Sequence, residues 1–430
     1  MKPIAYGLTD VGIKRSQNED YYLMDEELGL YIVCDGVGGS QAGQVASELC
    51  ARTIRQVVAE GREYLIQYNK DKSLKNRAIV AGLLQKAITT ANDKIYQMAE
   101  VDVTKKGMCT TTVVALFLGD YAVLAHVGDS RVYVYRGGQV HQLTEDHKYA
   151  VEMVKKGILT AEEASRSPQG NVLTRAVGLY PAIQVDTLQL EVMNGDSVLL
   201  CTDGLHNYAQ KNDLKTMFEH ETSKVTSELI TFAKQKGGAD NITAVLIKID
   251  DGKPAQDEVI NVLKKTEIMG KIPVFRYLSY QELTKVLSIA HVAGFKKGTP
   301  IVKEGEPSGD MFIVAFGMVS VLKSGVKVAE RGKGEVFGEM GIFDNAPRSA
   351  TVQAESDVSV ISLKRKELLG LLRQDSSIAV KILWALNSEL NTRVRRATED
   401  VAQKMSQTTQ APKEDTTVEI EILPFDHSQN

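Results

Sequence analysis

The chain has 430 residues, of which 43% are hydrophobic and 25% charged, with a formal net charge of −4. That length exceeds what one hydrophobic core usually serves and predicts two domains. The mixed, slightly acidic charge argues against a basic nucleic-acid surface; no apolar run reaches bilayer length, and the N-terminus MKPIAYGLTD lacks a signal-peptide plan, so a cytoplasmic protein without membrane association is expected.

In chain order, the first motif is RSQNED at 15–20, after the turn-like Asp10-Val11-Gly12. An arginine beside adjacent acids suggests a phosphate clamp next to a metal, because one guanidinium can hold two phosphate oxygens. A strand at 30–34 then ends in Asp35, and Gly36 lets a backbone carbonyl approach an ion closely. One helix is expected after Gly43, with Val45, Ala46, Leu49, Cys50, Ile54, Val57 and Val58 on its apolar face; a second carries Ile79, Leu83, Ala87, Ala91 and Ile95. Further strands are expected at 111–118, 123–127, 132–135, 198–202 and 242–249, with a helical or mobile polar flap between His147 and Pro168. The run at 198–202 leads into Asp203-Gly204, and Asp240 of GGADNIT stands at the mouth of the last strand. A lone strand-Asp-Gly is also the commonest way to end a strand in a turn. Taken together, Glu19, Asp35, Asp203 and Asp240 form the oxygen-donor set that Mg²⁺ and Mn²⁺ require, and they read as a two-metal hydrolytic centre. The four cysteines, Cys34, Cys50, Cys109 and Cys201, show no CxxC pairing and read as small core residues.

The order RSQNED, DGVGG, GDSR (128–131), CTDG, GGADNIT, with LTEDH at 143–147 and LTRAVG at 173–178, resembles the PPM family of type 2C metal-dependent serine/threonine protein phosphatases over about residues 5–249. The resemblance implies an α+β fold, an αββα sandwich. It further implies that Asp35 bridges two Mn²⁺ or Mg²⁺ ions, that Asp203 and Asp240 complete one ion's shell, and that Glu19 and the Gly36 carbonyl serve the other. Asp20 would hold metal-bound water, Asp129 with Asp203 would bind a weaker third ion, and Arg15 would receive the substrate phosphate. Hydrolysis would proceed by water activated between the ions, without a covalent intermediate. Animal members often carry a histidine after Asp-Gly, proposed as general acid; here the position is Val37, so no side-chain acid is assigned, and His126 and His147 read as structural or surface histidines.

Turn residues at 250–254 mark the boundary, followed by a short helix pattern at 259–268. The expected division is a phosphatase domain at 1–250, a linker at 251–262, a second domain at 263–404 and a flexible tail at 405–430. From Phe295 to Leu363, short strands punctuated by glycines have the grammar of a β-roll or jelly roll. FGEMGIFDNAPRSATV at 337–352 offers backbone amides after Gly338, an acceptor in Glu339 and a charge in Arg348. This stretch resembles the phosphate-binding cassette of cyclic-nucleotide-binding domains, with flanking helices, over about residues 263–396. The resemblance implies contacts from Gly338, Glu339, Met340, Arg348 and Ser349 to cAMP or cGMP, both open and cAMP favoured.

A last helix places Ala379, Leu383, Leu386, Leu390, Val394, Ala397 and Val401 at spacings of three and four, a stripe that packs on its own roll, caps a neighbouring site or pairs with its twin in a homodimer. Beyond it, Val418, Ile420 and Ile422 alternate like one short strand. The combined expectation is a phosphatase acting on phosphoserine or phosphothreonine proteins and regulated by a cyclic nucleotide, of either sign. The alternative is a non-catalytic phosphoprotein scaffold, against which the intact carboxylate set weighs. A transcription factor is disfavoured because only a short acidic tail follows the long helix, and a channel because no span is present.

Overall fold

The computed structural model describes residues 2–38, 42–250, 269–307, 309–343 and 346–409. The expected helix at 259–268, the linker at 251–262 and the strand around Ile420 fall outside them.

Two antiparallel sheets lie face to face in the first half. One runs β1 (Lys2–Asp10), β11 (Ile242–Asp250), β10 (Ser197–Cys201), β7 (Arg131–Arg136), β8 (Gln139–Gln142); the other runs β2 (Asp20–Asp25), β3 (Leu30–Val37), β5 (Thr112–Phe117), β6 (Tyr121–Val127), β9 (Asp186–Glu191), with β4 (Cys109–Thr110) paired to β3. The central strands read as unbroken apolar runs because both faces are covered. Tyr31 and Val33 of β3 point into the inter-sheet core with Val132, Val198 and Val245. Their neighbours Ile32 and Cys34 point the other way, onto α1 (Ala42–Glu60), α2 (Arg62–Lys70) and α3 (Leu74–Val101). On the far side, Leu199, Cys201 and Leu246 pack under α6 (Asp203–His206), α7 (Lys211–Phe218) and α8 (Thr222–Lys236). This is the αββα sandwich. The 147–168 stretch is helical, as α4 (Tyr149–Lys155) and α5 (Ala161–Arg166), the latter opened by a Thr160–Glu163 capping box.

The second half is a β-roll. One sheet runs β12 (Ala290–Phe295), β19 (Val358–Leu363), β14 (Met311–Phe316), β17 (Val336–Phe337), the other β13 (Pro300–Val302), β18 (Thr351–Ala354), β15 (Val319–Lys323), β16 (Val326–Arg331). Val314, Val319, Val352 and Val360 fill the space between them. Its helices are α9 (Tyr280–Leu287), α10 (Met340–Phe343), α11 (Arg365–Gln374) and α12 (Ser376–Thr409). The helix α12 runs through Thr409, five residues beyond the expected domain end at 404, so the tail does not begin at 405. Among the described residues, no helix is long and apolar enough to cross a membrane.

The two halves touch through α9, which lies against β8 and β9. The Tyr280 ring stacks on His141 with centroids 3.7 Å apart and planes at 10°. Arg136, buried and paired with Asp196 at 2.6 Å, donates its remaining Nη1 to the Tyr280 hydroxyl at 3.4 Å. On the roll side, Glu282 ties α9 to Lys381 of α12 at 2.7 Å, and Lys285 pairs with Asp375 at 2.7 Å. The charge of Asp375 also acts on Lys155 at the end of α4.

Candidate metal centre and nucleotide pocket

The acidic residues come from four separate segments, and the sheet register brings them together. Asp20 and Asp35 face each other across β2 and β3. The strand β3 does not stop at Asp35; it continues to Val37 because Gly36 and Val37 pair with β4. Asp203 opens α6 directly after β10, and Asp240 precedes β11, the neighbour of β10. The Asp35 carboxyl is pushed well above its usual range, first by burial and then by repulsion from Asp20, Asp203, Asp129 and Asp240. Burial likewise raises Glu19, lifts Asp203 to about 6 with help from Asp129 and Asp240, and lifts Asp20 to about 7. Six carboxylates gathered here, with cations paired only to Asp240 (Arg15) and Asp129 (Lys148) among the described residues, fit a cation site.

Two further observations fit that reading. Asp20 Oδ2 accepts hydrogen bonds from Thr243 at 2.6 Å and Thr202 at 2.9 Å, whereas its buried Oδ1 has no partner among the described residues. A side chain at Gly43 would come within 2.7 Å of the Glu19 carboxylate, and one at Gly36 would meet the carbonyls of Gly43 and Glu19. The glycines therefore hold the start of α1 against the acidic cluster. Arg15 lies at the mouth, half exposed, donating Nη2 to Asp240 at 2.8 Å, and its guanidinium is also within the field of Glu19 and Asp35.

Several supporting residues escaped the sequence reading. Asn241, beside Asp240, accepts the Glu19 amide at 2.8 Å and donates to the carbonyls of Val11 and Gln17, pinning the loop that carries Arg15 and Glu19. Lys148 pairs with Asp129 at 2.7 Å, so the expected ligand of a third ion already has a cation beside it. Arg131 and Asp146 form a two-pronged pair at 2.8 Å behind the Gly128–Ser130 turn. His126 and His147 are both buried, not on the surface, and stack with centroids 4.7 Å apart. His147 Nδ1 accepts the Gly128 amide at 3.1 Å while its Nε2 faces Asp186 at 3.3 Å. Among the described residues, the tightest set of potential ligand atoms is this His126–His147–Asp186 group, within 4.8 Å. Its donors are already committed: Asp186 also binds Arg175 at 2.8 Å, and His126 Nε2 faces the Glu145 carbonyl at 3.0 Å.

The raised carboxylates fix a pH signature for the metal-free protein. The folded pKa values exceed ordinary carboxylate values near 4, so the folded state binds protons more tightly than the unfolded one between about pH 4 and 7, and stability is lost as pH rises through that window. A divalent cation bound at this cluster would replace those protons. The gap in Tm between Mn²⁺-loaded and EDTA-treated protein is expected to widen from about pH 5.5 to 7.5. A gap independent of pH in differential scanning calorimetry contradicts the assignment.

In the roll, Gly338, Glu339, Met340, Arg348 and Ser349 line one cavity of about 230 Å³, together with Arg331. Gly338 has φ +73°, and a side chain there would meet Arg348 Nη1 at 2.6 Å and the Asp310 carbonyl at 2.9 Å. Glycine thus creates the turn and the space in which the guanidinium lies. Arg348 donates Nη2 to the Asp310 carbonyl at 2.8 Å and Nη1 to that of Gly338 at 3.3 Å, and burial pulls its pKa down. Both partners are neutral carbonyls, which leaves the positive charge available to an anion.

Comparison with known proteins agrees with both halves. The family model "Protein phosphatase 2C" matches residues 13–246, and "Cyclic nucleotide-binding domain" matches 293–375. Protein phosphatase PhpP of Streptococcus pneumoniae is 34% identical over 257 residues, 57% of this chain and 96% of that protein. Serine/threonine phosphatase stp of Listeria monocytogenes is 32% identical over 254 residues, 58% of this chain and 97% of its own. Among solved structures, the S. agalactiae serine/threonine phosphatase matches with a TM-score of 0.51 at 34% identity, over 58% of this chain and 100% of that one. The Mycobacterium tuberculosis phosphatase PstP matches with a TM-score of 0.51 at 28% identity, over 58% of this chain and 99% of that one. Metal dependence is general to the phosphatase family. The chain belongs to the protein phosphatase 2C family of serine/threonine protein phosphatases and carries a cyclic nucleotide-binding domain behind the catalytic one.

Proposed function

We propose that Glu19, Asp35, the Gly36 carbonyl, Asp203 and Asp240 hold two Mn²⁺ or Mg²⁺ ions, and that cAMP or cGMP in the roll changes the rate at which phosphoserine and phosphothreonine proteins are hydrolysed. The observation that carries the metal assignment is the buried, mutually repelling carboxylate set with the orphaned Asp20 Oδ1 beside it. Ions held by these residues would supply a water of lowered pKa and positive charge beside the phosphoryl oxygens. Arg15 receives the phosphate and orients it, turning part of its guanidinium from Asp240 to the substrate. Asp20, clamped by two threonine hydroxyls, keeps Oδ1 as an acceptor for water. Asp129 contributes to a weaker third position, whose affinity Lys148 lowers by competing for the same carboxylate. With Val37 after Asp35-Gly36, the leaving oxygen takes its proton from water.

The division into a catalytic domain at 1–250, a linker at 251–262 and a nucleotide domain from 263 to the end of the last helix at Thr409 belongs to the same reading, as does a homodimer through that C-terminal helix. A cytoplasmic location accords with four buried, unpaired cysteines. Regulation is supported by the contact of α9 with β8 and β9: Tyr280 sits on His141 and Arg136, and Arg136 Nη2 holds the Glu191 carbonyl at the end of β9 at 2.7 Å. The other end of β9 is Asp186, which faces His147 and through it the turn that carries Asp129. An effector that favours one placement of α9 thereby reaches the acidic centre, provided it binds the two states with different affinity.

A saturating nucleotide is expected to change the phosphatase rate about fivefold or more in the wild type. In Tyr280→Ala that ratio falls toward one while calorimetric nucleotide affinity is retained. A wild-type rate indifferent to bound nucleotide removes the regulatory reading; an undiminished ratio in Tyr280→Ala removes this interface from it.

A further inference from the structure

The helix α12 has two apolar faces. Ile378, Ile382, Ala385 and Leu386 are buried against the roll, so Leu386 of the expected stripe faces inward while others of it do not. About half a turn around the same helix, Val380, Leu383, Trp384, Leu390, Val394 and Val401 are 47–67% exposed. Six large apolar side chains in line along a helix whose outer part has little packing of its own form a surface that water does not favour.

The spacing of the outward stripe identifies its occupant. Val380, Asn387, Val394 and Val401 recur every seven residues, and Leu383, Leu390 and Ala397 fall three residues after the first three of them. In heptad terms the a positions are Val, Asn, Val, Val and the d positions are Leu, Leu, Ala. β-Branched residues at a with leucine at d favour two strands, and a single asparagine at a fixes register and strand number at some cost in stability. Asn387 is exposed in the middle of the stripe, where it has no role in the roll's own packing. A lipid surface fits poorly, because the stripe is narrow and is interrupted by Asn387 and Asn391. A second copy of the same helix supplies the complementary leucines and an amide opposite Asn387.

We propose that this protein dimerises as a parallel, in-register, two-stranded coiled coil along residues 380–401, with Asn387 paired to its twin. The inference rests on the pairing helix of the proposed function and adds its face, orientation and register. The 22-residue seam is about 33 Å long. Because each roll packs on the N-terminal third of its helix, parallel pairing brings the two nucleotide domains to the same end of the rod.

The test is sedimentation equilibrium of the full chain, with the emission of Trp384, the chain's sole tryptophan, followed on dilution. The wild type is expected to sediment as a dimer, and its emission to shift red as it dissociates. Leu390→Glu combined with Val394→Glu is expected to weaken the dimer at least about 100-fold by placing charges in the seam; both positions are exposed in the single chain, so its circular dichroism and basal phosphatase rate are retained. Val394→Cys is expected to cross-link to its twin under mild oxidation, which only a parallel, in-register pair allows. Asn387→Leu is expected to keep association while admitting species larger than a dimer. A wild type that is monomeric up to about 100 μM, far above the affinity of a stable dimer, overturns the pairing helix itself. A dimer untouched by the two glutamates overturns the assigned face, and a dimer that forms without the Val394→Cys cross-link overturns the parallel arrangement.

Discussion

Asp203→Asn is expected to lower the Mn²⁺-dependent kcat by about 10³-fold or more, the scale on which removing one preorganised charge-stabilising group acts. The asparagine keeps the shape of the side chain and its place at the start of α6, so the loss reports on charge and ligation. A second readout has the opposite sign. Asp203 is raised to about 6 by burial and by repulsion from Asp129 and Asp240, so neutralising it relieves strain in the metal-free state. The EDTA-treated variant should therefore unfold at a higher temperature than the EDTA-treated wild type near pH 7.5, and gain less from added Mn²⁺. A purely structural role for Asp203 predicts the reverse, a lower Tm without metal and an unaltered increment with it. Kinetics and calorimetry on one preparation separate the two.

The second large effect is at the other end of the chain. Arg348→Ala is expected to weaken cAMP or cGMP binding by about 100-fold, since a charged pair of hydrogen bonds to a phosphate is worth about 3 kcal/mol. Its donors now rest on two backbone carbonyls, which carry no charge, so a phosphate that displaces them gains more than they lose. The phosphatase rate without nucleotide should stay at the wild-type value, because Arg348 lies in the roll's cavity and its hydrogen bonds go to Gly338 and Asp310 of the roll. Isothermal titration measures the affinity, and a nucleotide that binds Arg348→Ala as tightly as the wild type places the phosphate elsewhere.

How far the sequence predicted these features depended on where each residue's partner lies. Asp35, Asp203 and Asp240 were legible because each sits beside a strand end or a glycine, where a carboxylate can be presented with little steric cost. Glu19 and Arg15 were legible through their shared motif. Asn241, Lys148, Thr202 and Thr243 were not, because their importance comes from sheet register: Thr202 and Thr243 reach Asp20 only because β10 pairs with β11 beside β2. The strands β1 and β2 were missed for a related reason. The first is an edge strand with Gly7 in its middle and Ile4 and Leu8 substantially exposed, so it lacks clean alternation. The short α2 escaped because it buries only Leu65 and Tyr68. In the C-terminal helix the apolar spacing was visible, but one list of residues covered two faces. Only the packing of Ile382 and Leu386 against the roll separates the inward set from the outward one.

The central claim is that the carboxylate cluster is a metal-dependent phosphatase centre under the control of the nucleotide domain. Its most direct test is the rate of phosphate release from a phosphothreonine peptide by the full chain, with EDTA, with Mn²⁺, and with Mn²⁺ plus each cyclic nucleotide. The predicted result is no turnover in EDTA, turnover in Mn²⁺, and a rate changed by one of the nucleotides at concentrations that saturate the roll. Turnover that persists in EDTA, or a Mn²⁺-dependent rate that ignores both nucleotides while they are bound, would contradict it.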